Sequence, residues 1–243
     1  MNDTTQVHAV DAALRSRHSM RRYLPTPVPR PLVAEILELA ARAPSGTNVQ
    51  PWKVYALAGE ERQKLSQAIL EQYNQGNKDG REFDYYPQEW TEPWLGRRRK
   101  VGFELYRLLG IPKGDKEKMH AQTARNYLFF DAPVGLICTM RRQLGRGMFL
   151  DYGMFLGNLV TAARARGLDT CVQNAFADYH GTIRKHLGIP DDELLVCGVA
   201  LGHADPDAPE NTLISEREPV ASFASFRGFD ADSSDPAGKP AGA

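Results

Sequence analysis

The sequence predicts a single layered domain of the α/β or α+β class, with helices packed on a sheet, and three observations carry that prediction. Residues 133–140 (PVGLICTM) and 194–201 (LLVCGVAL) are almost uniformly apolar and rich in Val, Ile and Cys, as strands buried on both faces are. Segments whose apolar residues recur at helical spacing separate the strands. The chain of 243 residues, 42% hydrophobic and 25% charged, has ordinary globular composition and enough length for a substantial core.

Taken in chain order, each element has its own reason. A first helix ends at the basic segment 17–21. Val33, Ile36, Leu37, Ala40 and Ala41 then recur at helical spacing, with Pro29 and Pro31 at the entry and Pro44 at the exit, which predicts an amphipathic helix. Residues 53–58 (KVYALA) follow as a short strand, and 60–75 as a helix carrying Leu65, Ile69 and Leu70. From about Gly76 to Pro112 the character changes: Phe83, Tyr85, Tyr86, Trp90, Trp94, Phe103 and Tyr106 are scattered among charges, an excursion from the core. After the strand at 133–140 comes a helix over 149–166, where Gly153 and Gly157 would let another backbone approach closely on one side. One domain is expected over residues 1–229. Residues 230–243 (DADSSDPAGKPAGA) carry no large apolar side chain to offset the entropy of ordering and are expected to be flexible.

Charge excludes some classes of partner. Lys plus Arg and Asp plus Glu number 30 each, so the net charge is zero and the footprint of a nucleic-acid or membrane-surface protein is missing. The first residues, MNDTTQVHAVDAALRSRHS, contain acids and no apolar signal region. The longest charge-free helical stretch, 152–163, is too short to span a bilayer. A cytoplasmic protein with a small-molecule partner is expected. Cys138, Cys171 and Cys197 are odd in number and far apart, which predicts buried reduced thiols and neither a disulfide scaffold nor a zinc site.

Two segments carry chemistry. Arg17, His18, Ser19, Met20 and Arg21 place two guanidiniums and a hydroxyl within five residues. Guanidiniums hold a phosphate monoester through paired charge-assisted hydrogen bonds, and Ser adds a donor; taken alone, the cluster is also a basic helix end facing its own carbonyls. Residues 43–52 (APSGTNVQPW) form a polar loop bracketed by prolines. Its amide and hydroxyl groups suit the edge of a planar heterocycle, or serve the backbone of a structural turn.

Together with Asn126-Tyr127, Phe129-Phe130-Asp131-Ala132-Pro133 and the closing GLDTC…LGHAD…ER pattern, these motifs fall in one order. In that order the chain resembles the FMN-dependent nitroreductase family, nitrobenzoate reductases included, from about residue 12 to 229. The resemblance implies an α+β fold with a central mixed sheet flanked by helices. It also implies an interlocked homodimer with two FMN sites at the interface. Arg17, His18, Ser19 and Arg21 would face the flavin, Arg17 and Ser19 nearer the phosphate and Arg21 nearer the pyrimidine edge. Arg217 resembles a late phosphate-binding arginine. Pro44, Ser45 and Asn48, with Gln50, would reach the flavin from the partner subunit. Val172, Gln173 and Asn174 match a segment that lies along the flavin and offers a backbone N–H near N5. There the family often shows Pro or Glu-Gly, so Gln173-Asn174-Ala175 is a departure.

The implied reaction is ping-pong. NADH or NADPH reduces the flavin and leaves, and a nitroaromatic such as a nitrobenzoate then takes two electrons in the same cavity. The same motifs would serve reduction of a quinone, an enone or a halogenated phenol, or a protein that binds FMN without turnover. Reduced flavin carries negative charge that a fixed cation such as Arg21 stabilises. The cofactor does the electron chemistry, so no protein acid, base or nucleophile is required. An aromatic acceptor needs apolar walls, and Trp94, then Tyr85 and Tyr86, are the substrate-binding candidates. Those rings would otherwise pin the excursion to the core or to the other subunit.

Other motifs point to ordinary structure. Gly145-Arg146-Gly147 lacks the third glycine of a dinucleotide fingerprint, since Leu150 stands there. Arg97-Arg98-Arg99-Lys100 lies among Glu89, Glu92 and Glu104, as on a solvated helix face. Cys171 suits a small buried hydrophobe. His120, His180, His186 and His203 have no metal-ligand spacing.

Overall fold

The structure, a computed structural model, describes residues 4–229; the tail expected at 230–243 lies outside them. The described residues form seven α-helices and four strands, in chain order α1 Thr4–Ser16, α2 Arg30–Ala40, β1 Lys53–Ala58, α3 Gly59–Asn74, α4 Trp94–Leu108, α5 Lys116–Ala124, β2 Val134–Arg141, α6 Met148–Arg164, β3 Asp169–Gln173, α7 His180–Leu187 and β4 Glu193–Gly202. Contacts divide the chain into two units, Met1–Leu213 and Ile214–Ala243, so the domain expected over 1–229 spans both.

The sheet runs β1-β2-β4-β3, and every strand pair is antiparallel. Its mixed character rests on one isolated parallel bridge, Ser19 to Thr170. The apolar runs read from sequence become β2 and β4 at its centre, buried along nearly their whole length. Alternation sorts their side chains between two layers. Val134, Leu136, Cys138 and Met140 meet α2 and α6 on one face, while Ile137 faces Leu65 and Ile69 of α3 on the other. Two glycines let rings lie flat on that second face. A Cβ on Gly135 would come within 2.6 Å of Phe129, and one on Gly198 within 2.3 Å of Phe176; the two rings stack at 4.5 Å.

α2 starts with proline in its first turn, where a missing N–H costs nothing, and buries Val33, Ile36 and Ala40 as one stripe. α6 packs against α1, α2 and β3. No other element of the same chain uses the approach its glycines allow: among the described residues no atom outside the helix's own backbone lies within 4 Å of where a Cβ would stand on Gly153 or Gly157. That face is open. The three cysteines are buried and free, as expected. No described helix is long and apolar enough to cross a membrane, and no described His, Cys, Asp and Glu group could hold a metal.

The second unit includes a single turn at Val220–Ser222. Phe223, Phe226 and Phe229 are exposed, and the last two rings pack edge to face at 5.7 Å.

Candidate functional site

The basic segment after α1 is sewn to the outer edge of β3. Ser19 bridges Thr170, and the Met20 N–H donates to the Thr170 carbonyl at 3.2 Å. Asn211, which sequence reasoning missed, organises the segment. Its Oδ1 accepts from the Arg21 N–H at 2.7 Å, its Nδ2 donates to the carbonyls of Arg22 and Asp205, and its own carbonyl lies 3.0 Å from His18 Nε2. A lone Asn in a polar stretch carries no signal of such a partnership. Arg21 donates to the Ser19 carbonyl at 3.1 Å, which fixes its guanidinium. Burial pushes the Cys171 thiol up, while Arg21, the Ser19 hydroxyl and Arg17 pull it down, so both cations act on this corner.

Beside it a groove runs between α6 and β3. At one end a cavity of about 310 Å³ is lined by Arg17, Ser19, Thr170, Gly157 and Val160. Through shared walls of Gly153, Leu156 and Val172 it continues into a larger one, of about 530 Å³, that includes Phe83, Tyr85, Phe149, Tyr152 and Asn174. The open glycine face of α6 is its floor. Val172 is 42% exposed to it. Gln173 points away: its side chain is buried and its Nε2 donates to the Asn126 carbonyl at 2.8 Å. Asn174 Nδ2 donates to the Val196 carbonyl at 3.4 Å, and its buried Oδ1 has no partner among the described residues.

The aromatic wall is delivered by the excursion, which is strapped down just before it. Asp79 accepts from the N–H groups of Gly181 and Thr182 at the start of α7, at 2.9 and 3.2 Å. Arg81 donates to Asp178 at 2.6 Å. Glu82, its side chain only 7% exposed, accepts from the Leu195 N–H at 3.0 Å, from Arg184 at 3.1 Å and from Arg142. Burial alone would raise its carboxyl, but the Leu195 N–H and Arg142 outweigh burial and hold it below the usual carboxylate range. Of the substrate candidates, Tyr85 reaches the lining. Tyr86 packs on Tyr85 and Trp90, and Trp94, 56% exposed in the first turn of α4, lies outside the lining.

The loop carrying Pro44, Ser45, Asn48 and Gln50 lines neither part of the groove. Gly46 donates to Asp151 of α6 at 3.1 Å, and the Gln50 N–H to Ser45 Oγ at 3.0 Å. Thr47, Asn48 and Gln50 all take φ near +50 to +60° (49, 62 and 51), a conformation that costs free energy and is retained where function needs it. Pro44, Asn48 and Gln50 are exposed. Arg217, in the second unit, donates to the Ser215 carbonyl and hydroxyl and to the Glu216 carbonyl.

A groove with a guanidinium and a hydroxyl at one end and rings with an amide oxygen unsatisfied among the described residues at the other, laid on an antiparallel sheet between helical layers, suits an enzyme that holds an elongated cofactor. The chain belongs to the nitroreductase family, whose model matches residues 14–203. It is 41% identical over 229 residues to a 4-nitrobenzoate reductase of Nocardioides sp. (strain LMS-CY), covering 93% of each chain. It is 38% identical to a nitrobenzene nitroreductase of Ectopseudomonas oleovorans, covering 89% of this chain and 96% of the relative. Among solved structures, the FMN and NADPH-dependent nitroreductase NfnB from sphigopyxis sp. strain HMH superposes with a TM-score of 0.87 at 38% identity, over 90% of this chain and 99% of that one. The FMN-dependent nitroreductase NfnB from Mycobacterium smegmatis, solved in complex with NADPH, gives 0.87 at 25% identity, over 91% and 99%.

Proposed function

We propose that this chain is an FMN-dependent oxidoreductase that carries electrons from NADPH or NADH to nitroaromatic compounds by a ping-pong mechanism, as a cytoplasmic homodimer. The observation that carries the reading is the groove itself. The donor set fits FMN: Arg17 and Ser19 offer cationic and hydroxyl donors to a phosphate, Gly153 and Gly157 leave the floor free of side chains, and Asn174 Oδ1 is an acceptor awaiting a donor. When bound, FMN supplies the two-electron transfer between nicotinamide and acceptor.

The protein's part is binding, electrostatics and the exclusion of water. Arg21, held by the Ser19 carbonyl, is read as the fixed cation nearer the pyrimidine edge, where reduced flavin carries negative charge. Phe83, Tyr85 and Phe149 give an aromatic acceptor an apolar wall. No side chain is assigned a proton transfer. The exposed, strained loop with Pro44, Ser45, Asn48 and Gln50 is read as serving the groove of the second subunit, and Arg217 as a further phosphate ligand. Purified protein is expected to be yellow, to release FMN on denaturation, and to oxidise NADPH when 4-nitrobenzoate is added. Colourless protein that FMN does not reconstitute would overturn the reading.

The Glu82 strap gives a sharper expectation. Glu82→Gln keeps the shape but weakens the charge-assisted bonds to Arg142 and Arg184, each worth about 1.5–3 kcal/mol. The wall at Phe83 and Tyr85 then loosens. KM for the nitroaromatic should rise about tenfold, equivalent to about 1.4 kcal/mol, with flavin content unchanged. Steady-state kinetics and the visible spectrum measure both.

A further inference from the structure

The larger cavity contains one cation, Arg146, in a lining otherwise dominated by rings and aliphatic side chains. Its position is fixed by the turn that starts α6: Arg146 O accepts from the Phe149 N–H at 3.1 Å, and Phe149 is itself part of the wall. Asp84 is the one acid there. No ion pair joins Asp84 and Arg146, and the Arg146 guanidinium makes no hydrogen bond or ion pair among the described residues. The arginines that strap the excursion are committed: Arg142 and Arg184 to Glu82, Arg81 to Asp178.

A guanidinium left without a partner beside aromatic walls is the arrangement that reads a flat ring bearing an oxyanion. The rings hold the plane of the ligand, and the planar fork of donors takes a carboxylate by two parallel bonds. Overall similarity does not choose among acceptors, because relatives at 41% and 38% identity are named for a charged and an uncharged nitroarene. The geometry points to Arg146 as the residue that selects an acceptor with a ring carboxylate, by pairing with that carboxylate at the groove's aromatic end. The inference rests on the proposed nitroaromatic reductase reading and adds to it the substrate class, a nitroaromatic acid. With Asp84 the one acid there, Arg146 is the one charged group among the described lining residues that attracts a carboxylate.

The test separates this inference from the reading beneath it by using a ligand that cannot be reduced. Benzoate and its neutral isostere benzamide are titrated calorimetrically into wild-type holoenzyme and the Arg146→Gln, Arg146→Lys and Arg146→Glu variants. Wild type should bind benzoate at least tenfold more tightly than benzamide. Arg146→Gln should abolish that preference, Arg146→Lys restore part of it, and Arg146→Glu reverse it, with benzamide affinity unchanged throughout. In turnover, Arg146→Gln should raise KM for 4-nitrobenzoate about tenfold and leave KM for nitrobenzene and the NADPH to NADH preference as they were. Equal benzoate binding in wild type and Arg146→Gln overturns the assignment. So does a loss confined to NADPH, which would place Arg146 on a phosphate of the electron donor, or an equal loss for both acceptors. Benzoate selectivity that depends on Arg146 in a protein that reduces no nitroarene would support this inference while the proposed function failed.

Discussion

Replacing Gly157 with Leu is expected to leave a folded protein that no longer holds FMN. Among the described residues no atom outside the helix's own backbone lies within 4 Å of where the new Cβ would stand, so the fold has room for the side chain. Leu also ranks just below Ala in helix propensity, and Gly lies about 0.8–1 kcal/mol below Ala, so α6 by itself gains stability. The space the side chain takes is the floor of the cavity that Arg17 and Ser19 line, and a cofactor seated there meets it directly. Flavin affinity should fall more than a hundredfold, which corresponds to about 2.7 kcal/mol. Fluorescence titration of the apoprotein with FMN measures the loss, and thermal unfolding of the apoprotein shows that the fold survives. Normal FMN binding by Gly157→Leu would move the cofactor off this groove.

The second large effect concerns stability. Glu193, fully buried at the start of β4, accepts from Tyr55 at 2.9 Å, from Thr139 at 2.7 Å and from Lys53. Glu193→Leu strands the buried Thr139 hydroxyl and the Tyr55 hydroxyl, while Lys53, half exposed, can turn to water. At about 1–3 kcal/mol for each stranded hydroxyl the cost should be about 3 kcal/mol, or about 6–12 °C in Tm for a chain of this size. The pH dependence has a definite sign. Burial would raise the Glu193 carboxyl, but Lys53, Thr139 and Tyr55 outweigh it and hold it below the usual carboxylate range. A carboxyl lowered by folding contributes fully above its unfolded value of about 4.3 and loses that contribution as pH falls through the folded value. The Tm gap between wild type and variant should therefore be constant from neutral pH down to about pH 5 and narrow below about pH 4. A gap that widens in acid would show that the network does not stabilise the charged carboxylate.

What could be read from sequence was whatever is encoded locally. β1 is found at the expected residues, 53–58, and β2 and β4 within one residue of expectation at each end, because uniform apolar runs bounded by polar residues have one reading. β3 was legible only through resemblance: Asp169–Gln173 is five residues with polar ends, and its burial comes from β4 and from Arg164, which pairs with Asp169 at 2.8 Å. α5 was hidden for a related reason, since Lys116–Ala124 buries only Gln122 and presents no apolar stripe.

The candidate site divides along the same line. Arg17, Ser19, Val172 and Asn174 come together in the groove, yet 153 positions separate Ser19 from Val172, and the Ser19–Thr170 bridge that joins their segments is a long-range pairing without a local signature. The Gly153 and Gly157 spacing was visible, but whether a helix or a ligand meets that face depends on what the fold leaves beside it. Trp94 was one of two tryptophans in the excursion. The straps at Asp79, Arg81 and Glu82 bring Phe83 and Tyr85 to the cavity and leave Trp94 on α4.

The central claim is that one groove serves electron donor and acceptor in turn. Anaerobic stopped-flow mixing tests it most directly: holoenzyme is reduced with one equivalent of NADPH, freed of nucleotide, and mixed with 4-nitrobenzoate. The account predicts that the flavin absorbance bleached in the first step returns fully in the second, at a rate that saturates with nitrobenzoate and is slowed by excess NADP+ competing for the groove. Flavin that NADPH bleaches but nitrobenzoate does not reoxidise, or reoxidation that excess NADP+ leaves unaffected, would contradict it.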